Sequence, residues 1–158
     1  MKNGDWLEFE RRNENGTEEG WDFLEKEVFE VDGKRMTKAD FLHGCCDLFA
    51  VALNRRFGYS ILYVRDETGE SRFAHAFCVD EDGNFVDVRG RNSDFDEFFE
   101  DFEDFADPSE FSEFVREATK DEEVSIVRRY GIEDPRLLEI AKKVVDAYAD
   151  TYERGKAS

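Results

Sequence analysis

Three stretches decide how this chain reads: Gly44-Cys45-Cys46-Asp47-Leu48-Phe49-Ala50-Val51-Ala52-Leu53, Arg72-Phe73-Ala74-His75-Ala76-Phe77-Cys78-Val79, and Asp82-Gly83-Asn84-Phe85-Val86-Asp87-Val88-Arg89-Gly90. The first puts two thiols at the head of an apolar segment that carries Arg55 and Arg56 late and meets Gly58. That is a mostly buried helix from Cys45 to Phe57, with cations in its last turn and a glycine stop. The second and third alternate and flank Asp-Gly, the composition of a β-hairpin. A thiol opening a helix, a histidine in one strand and a carboxylate in the next are the parts of a cysteine nucleophile, its base and the residue that orients the base.

Hairpin register decides whether those parts meet. A two-residue loop, Asp82-Gly83, sets Cys78 opposite Asp87 and sends His75 to the other face. A three-residue loop, Glu81-Asp82-Gly83, sets Phe77 opposite Asp87 and His75 opposite Arg89, so that His75 and Asp87 are diagonal neighbours on one face. Gly83 at the loop's end favours the second register. The helix N-terminus favours a thiolate, whereas Asp47 in the same turn raises the thiol pKa and makes a histidine partner a requirement.

The pattern Gly44-x-Cys46-x-x-x-Ala50-x-Ala52-Leu53, followed by His75 and by Asp82-Gly83-x-x-x-Asp87-x-x-Gly90, resembles the Cys, His, Asp order of papain-like and transglutaminase-like cysteine hydrolases, and especially small bacterial and phage domains of that kind. The resemblance covers about a third of the chain. It implies Cys46 as nucleophile, His75 as general base and later acid, and Asp87 as the residue orienting the imidazole. It also implies an α+β, papain-like or transglutaminase-like core, with the nucleophile helix packed on a small antiparallel sheet, acting on a protein or peptide without a cofactor. One departure stands out: papain-like enzymes commonly place Gln before the nucleophile, and this chain has none. The oxyanion would use the Cys46 amide plus a second donor from Asn13, Asn15, Trp21 or His43.

Each piece has a plainer reading. Cys45 and Cys78 read as packing residues. His43, Cys45, Cys46 and His75 could be drawn into a metal site, but adjacent cysteines are not the usual chelating pair, and no metal is expected. Arg89 and Arg91 either neutralise local acid or recognise an acidic group on a substrate.

The rest of the chain suggests a single domain, 1–158. Residues 1–20 read as a loosely attached arm, and Trp21, Leu24 and Val28 as a short helix near 20–30 ended by Asp32-Gly33. Thr37 and Asp40 form a capping pair within a core Cys-His-Asp module, 37–90. Strands are expected near 60–65, 72–79, 84–88 and 123–129. Between them lies an acidic Phe-rich helical segment, 93–116, capped by Ser93 and continuing through Phe111, Phe114 and Val115. A C-terminal helix, 134–152, buries Leu137, Leu138, Ala141, Val144, Val145 and Tyr148.

The 158 residues hold 40 Asp plus Glu against 22 Lys plus Arg, a net charge of −18, and 16 Phe. Such charge repels phosphate backbones and anionic membrane surfaces, which argues against direct nucleic-acid or membrane binding, while the aromatics argue for a packed core. Nine acidic residues and no basic one lie between Asp94 and Glu110. This density supports a second reading: a non-catalytic acidic protein that blocks a basic surface of a partner, as a phage-encoded inhibitor or nucleic-acid mimic would do to a host defence protein. Three cysteines without a disulfide framework, and no apolar signal region, point to the cytoplasm.

Overall fold

The structure, a computed structural model, describes residues 24–42, 44–64, 75–99 and 115–153. Strands β1 (Phe29–Val31) and β2 (Lys34–Met36) form a hairpin in which Phe29 pairs with Met36. The helix expected near 20–30 therefore ends before Phe29, and residues 29 and 30 belong to a strand instead. Asp32 and Gly33 both take positive φ, 47° and 83°. That is the twist of a two-residue hairpin turn rather than a helix stop, and it leaves Val28 on the surface.

Helix α1 (Lys38–Leu42) keeps half of the capping pair, since the Asp40 carboxylate accepts from the Thr37 amide at 2.8 Å. Gly44, at φ 76°, then redirects the chain into α2 (Cys46–Phe57). Every residue from Cys46 to Leu53 is buried. Gly58 closes the helix at φ 80°, its amide returning to the Asn54 carbonyl at 2.7 Å.

Strands β3 (Ser60–Val64), β4 (His75–Val79), β5 (Phe85–Asp87), β6 (Gly90–Asn92) and β7 (Val115–Glu117) build an antiparallel sheet in the order β6-β5-β4-β3-β7. Cys78 pairs with Val86 and Val79 with Phe85. This is the register of the three-residue loop, closed by the Asp80 amide on the Asn84 carbonyl at 3.0 Å, with Gly83 at φ 84°. Residues 72–74 of the expected strand lie outside the described ones.

The last strand is not where alternation placed it. Residues 123–129 belong to α4 (Lys120–Glu133), and β7 supplies the sheet edge instead. Thr119 and Glu122 form a reciprocal capping box, each side chain bonding the other's amide, at 3.2 and 3.0 Å. With the helix so nucleated, Ile126 and Tyr130 share a buried face and Val124 is left half exposed. Val115 accordingly opens a strand rather than extending a helix. Phe111 and Phe114 lie outside the described residues.

Helix α3 (Phe95–Phe99) begins the acidic segment, whose continuation over 100–114 is outside the described residues. Its cap is Asp94 rather than Ser93: the Asp94 carboxylate accepts from the Asp96 and Glu97 amides at 3.0 and 3.3 Å. Helices α5 (Arg136–Ala147) and α6 (Ala149–Tyr152) end the described chain. In α5, Ile140 joins Leu137, Ala141, Val144 and Val145 in the core, while Leu138 and Tyr148 are only half-buried. Tyr152 is fully buried, donating to the Val88 carbonyl at 2.8 Å and accepting at its own carbonyl from the Tyr59 hydroxyl at 2.9 Å.

The layers follow from strand alternation. Cys78 points to α2, its thiol on the Ala50 carbonyl at 3.3 Å, and α5 packs on the far side of α2. Phe77 points the other way, into a cluster with Phe85, Phe95 and Phe98 at ring separations of 6.0, 6.2 and 5.0 Å. No helix among the described residues is long and apolar enough to cross a membrane.

Replacing Thr119 with Ala removes one half of the capping box and should lower stability by about 1 kcal/mol. The measurement is a shifted urea midpoint at unchanged slope; an unchanged midpoint would count against this assignment of α4.

Candidate functional site

His75 opens the described part of β4 and Asp87 closes β5. Continued by two residues, the hairpin register makes them diagonal neighbours, and their side chains meet: His75 Nε2 lies 2.9 Å from Asp87 Oδ2. An ionised carboxylate can only accept, so Nε2 carries the proton in this pair and Nδ1 is the basic nitrogen of the neutral ring. The imidazole is fully buried, stacked on Phe77 at 5.8 Å and tilted against Phe98 at 5.9 Å.

Asp87 has a second partner. The Arg89 guanidinium reaches Oδ2 through Nη2 at 2.7 Å, and its Nε lies 3.2 Å from each oxygen. The Arg89 amide bonds Oδ1 at 2.8 Å. Burial works to raise the Asp87 pKa, but Arg89 and His75 outweigh it and hold the carboxyl at about 2.

Cys46 is the first residue of α2, and its thiol is almost wholly buried. The amides of Ala76 and Asp47 favour its thiolate, which puts the sulfur beside the residue that follows His75. Burial, then the Asp47 carboxylate, push the thiol well above its ordinary range, and Asp87 adds to this. At neutral pH the undisturbed site therefore holds a thiol, not a thiolate. His75 lies on the α3 side of the sheet and Cys46 on the α2 side, both at the start of β4.

Asp47 acts on the thiol as its sequence position suggests, yet it is itself restrained. Fully buried, it accepts from the Leu48 amide at 2.9 Å, from the Tyr130 hydroxyl at 2.6 Å and from the Arg129 guanidinium. Tyr130 also reaches the Gly44 carbonyl at 3.1 Å. Sequence reasoning missed Arg129 and Tyr130: the strand expected over 123–129 takes in Arg129 only as its last residue and stops short of Tyr130.

The other candidates fall as follows. Cys45 is half-buried, and burial, with Asp47, Glu133 and Asp40, pushes it up to about 11. Cys78 is a core residue raised well above its ordinary value, chiefly by burial. Arg89 and Arg91 are buried, so the reading in which they recognise an acidic substrate gives way to neutralisation of local acid. Arg91 donates to the Glu153 carbonyl at 2.9 Å and sits 3.8 Å from Asp80. Asn13, Asn15, Trp21 and His43, the expected oxyanion donors, lie outside the described residues. Among the described residues no group of three or more His, Cys, Asp and Glu could hold a metal ion.

The lowered Asp87 pKa has a defined sign. Its contribution to stability, on the order of 2 kcal/mol, is complete above the unfolded value near 3.8 and is lost as pH falls through about 2. Asp87→Asn should therefore cost about 3–5 kcal/mol at pH 7, where it strands the buried Arg89 charge, with the gap to wild type narrowing below pH 4. Urea unfolding at several pH values measures this, and a gap independent of pH would contradict it.

No protein-family model matches the chain, and neither a curated protein nor a solved structure matches it, so its own residues and geometry carry the reading of function.

Proposed function

We propose that this protein is a thiol hydrolase or acyl-transferase of papain-like or transglutaminase-like type, acting on an amide or ester of a protein or peptide through an acyl-enzyme on Cys46. The supporting observation is the buried His75 Nε2 to Asp87 Oδ2 contact of 2.9 Å, formed where the thiol of Cys46 lies beside the Ala76 amide. Asp87 fixes the ring so that Nδ1 is the nitrogen able to take a proton.

In the first step His75, which packs with Phe98 on the face of β4 opposite the thiol, must turn toward Cys46 to accept its proton, and the thiolate then attacks the carbonyl carbon. Negative charge gathers on the carbonyl oxygen, toward which the Cys46 amide at the start of α2 donates. The imidazolium then gives its proton to the departing amine or alcohol as the C–N or C–O bond breaks. Water, or an acceptor nucleophile, loses a proton to His75 while attacking the thioester, and this restores the thiol. His75 is needed because burial and Asp47 oppose the thiolate. Three free thiols suit a reducing, cytoplasmic setting.

Iodoacetamide at pH 7 tests this, with mass spectrometry locating the label. Cys46 should react at least tenfold faster than Cys78, and His75→Ala should abolish the excess. Equal sluggishness of Cys45, Cys46 and Cys78 would remove the hydrolase reading.

The net charge of −18 favours one other reading, the acidic protein that covers a basic partner surface. Under it, Cys46→Ala leaves the biological activity intact while reversing charges along Asp94 to Asp107 destroys it, and partner binding weakens steeply with salt. The opposite pattern, loss with Cys46→Ala and tolerance of charge reversal, belongs to the hydrolase.

A further inference from the structure

We infer that the cleft between the C-terminal halves of α2 and α5 is a binding site for a small monocarboxylate carried on an apolar body. It lies at the end of α2 away from Cys46, about 14 Å along the helix, and does not rest on the hydrolase reading. Ala52, Arg55 and Arg56 from α2 and Lys142, Val145 and Asp146 from α5 line a cavity of about 220 Å³. Ala52 and Val145 are buried and give it a floor of methyl groups, while the four charged side chains reach solvent around it.

The charges select the ligand. The chain holds 40 Asp plus Glu against 22 Lys plus Arg, so a surface cation has an excess of acids with which to pair. Arg55 nevertheless makes no hydrogen bond or ion pair among the described residues, and the five N–H groups of its fork are uncommitted. Arg56 is fixed but not saturated. Its Nε donates to Asp146 Oδ1 at 3.3 Å and its guanidinium lies over the Phe57 ring at 5.2 Å, while neither Nη nitrogen has a hydrogen-bond partner among the described residues. Lys142 makes one long contact, 3.5 Å, with Glu139, which does not line the cleft. Three lining cations, less the carboxylates of Asp146 and Glu139, leave one positive charge to be matched.

A carboxylate meets a guanidinium fork with two parallel N–H···O bonds, and a compact apolar body covers the methyl floor. Drug-sized ligands occupy pockets of about 300–1,000 Å³, so the smaller volume here restricts that body to roughly one ring or a short branched chain. A phosphate dianion brings one charge more than the cleft balances. Cations in the last turn of α2 also suit its dipole, yet the dipole calls for neither Lys142 from a second helix nor the space between the two.

Titration of nitrogen-15-labelled full-length protein with sodium benzoate tests this, read from the amide signals of Ala52, Arg55 and Val145 in about 150 mM salt, which screens the net charge. Saturable shifts centred on this cleft are expected. Acetate has the charge without the body and benzamide the body without the charge; each should bind at least tenfold more weakly, as should benzoate to Arg55→Gln. Arg55 is exposed and unpaired among the described residues, so this variant should fold as wild type does. Cations that serve only the helix dipole would give no saturable benzoate shifts in wild type, which overturns the inference. Equal binding of acetate would reveal a diffuse cationic patch and overturn it too, as would benzoate affinity unchanged in Arg55→Gln. Phenyl phosphate binding more tightly than benzoate would overturn the choice of a monocarboxylate.

Discussion

The buried ion pair between Asp87 and Arg89, with His75 hydrogen-bonded to the same carboxylate, is the constraint around which the sheet's α3 face is arranged. Removing two charges from water costs several kcal/mol per ion, and only close geometry and further hydrogen bonds return it. Both conditions are met here. The carboxylate accepts from an amide, a guanidinium and an imidazole, and the guanidinium is shared with the Phe98 carbonyl. The aromatic packing follows from the same place: Phe77, Phe85, Phe95 and Phe98 close over the cluster and exclude the water that would weaken it.

On the opposite face, α2 is held by apolar contacts with β4 and α5 and by one polar anchor at its start. Asp47, next to the thiol, would be a buried lone anion if α4 did not bring Arg129 and Tyr130 to it. Two acids thus flank Cys46, at positions 47 and 87, and each is matched by an arginine from a different element. The thiol nevertheless stays protonated at rest, because burial dominates its environment.

Much of this was legible in local sequence. Gly44 and Gly58 bracket α2 because both need positive φ, and Gly83 selects the three-residue loop for the same reason. That loop alone fixes which face His75 and Asp87 share. The segment at 123–129 misled because Val124, Ile126 and Arg128 alternate while Ile126 and Tyr130 also sit one helical turn apart. The deciding signal lay just upstream, in Thr119 and Glu122. Phe29 to Val31 misled in the opposite direction, since Asp32-Gly33 suits a helix stop and a hairpin turn alike. The contact of Arg129 and Tyr130 with Asp47 joins residues more than eighty positions apart, and no local pattern encodes it.

The central claim is that Asp87 fixes the proton of His75 on Nε2 and leaves Nδ1 as the base. Nitrogen-15 NMR of the imidazoles reads this directly, with His43→Asn used to assign the two histidines. The account predicts that neutral His75 is the Nε2–H tautomer, with a strongly downfield Nε2 proton that disappears in Asp87→Ala. A His75 that carries its proton on Nδ1, or that exchanges tautomers as a solvated imidazole does, would contradict it.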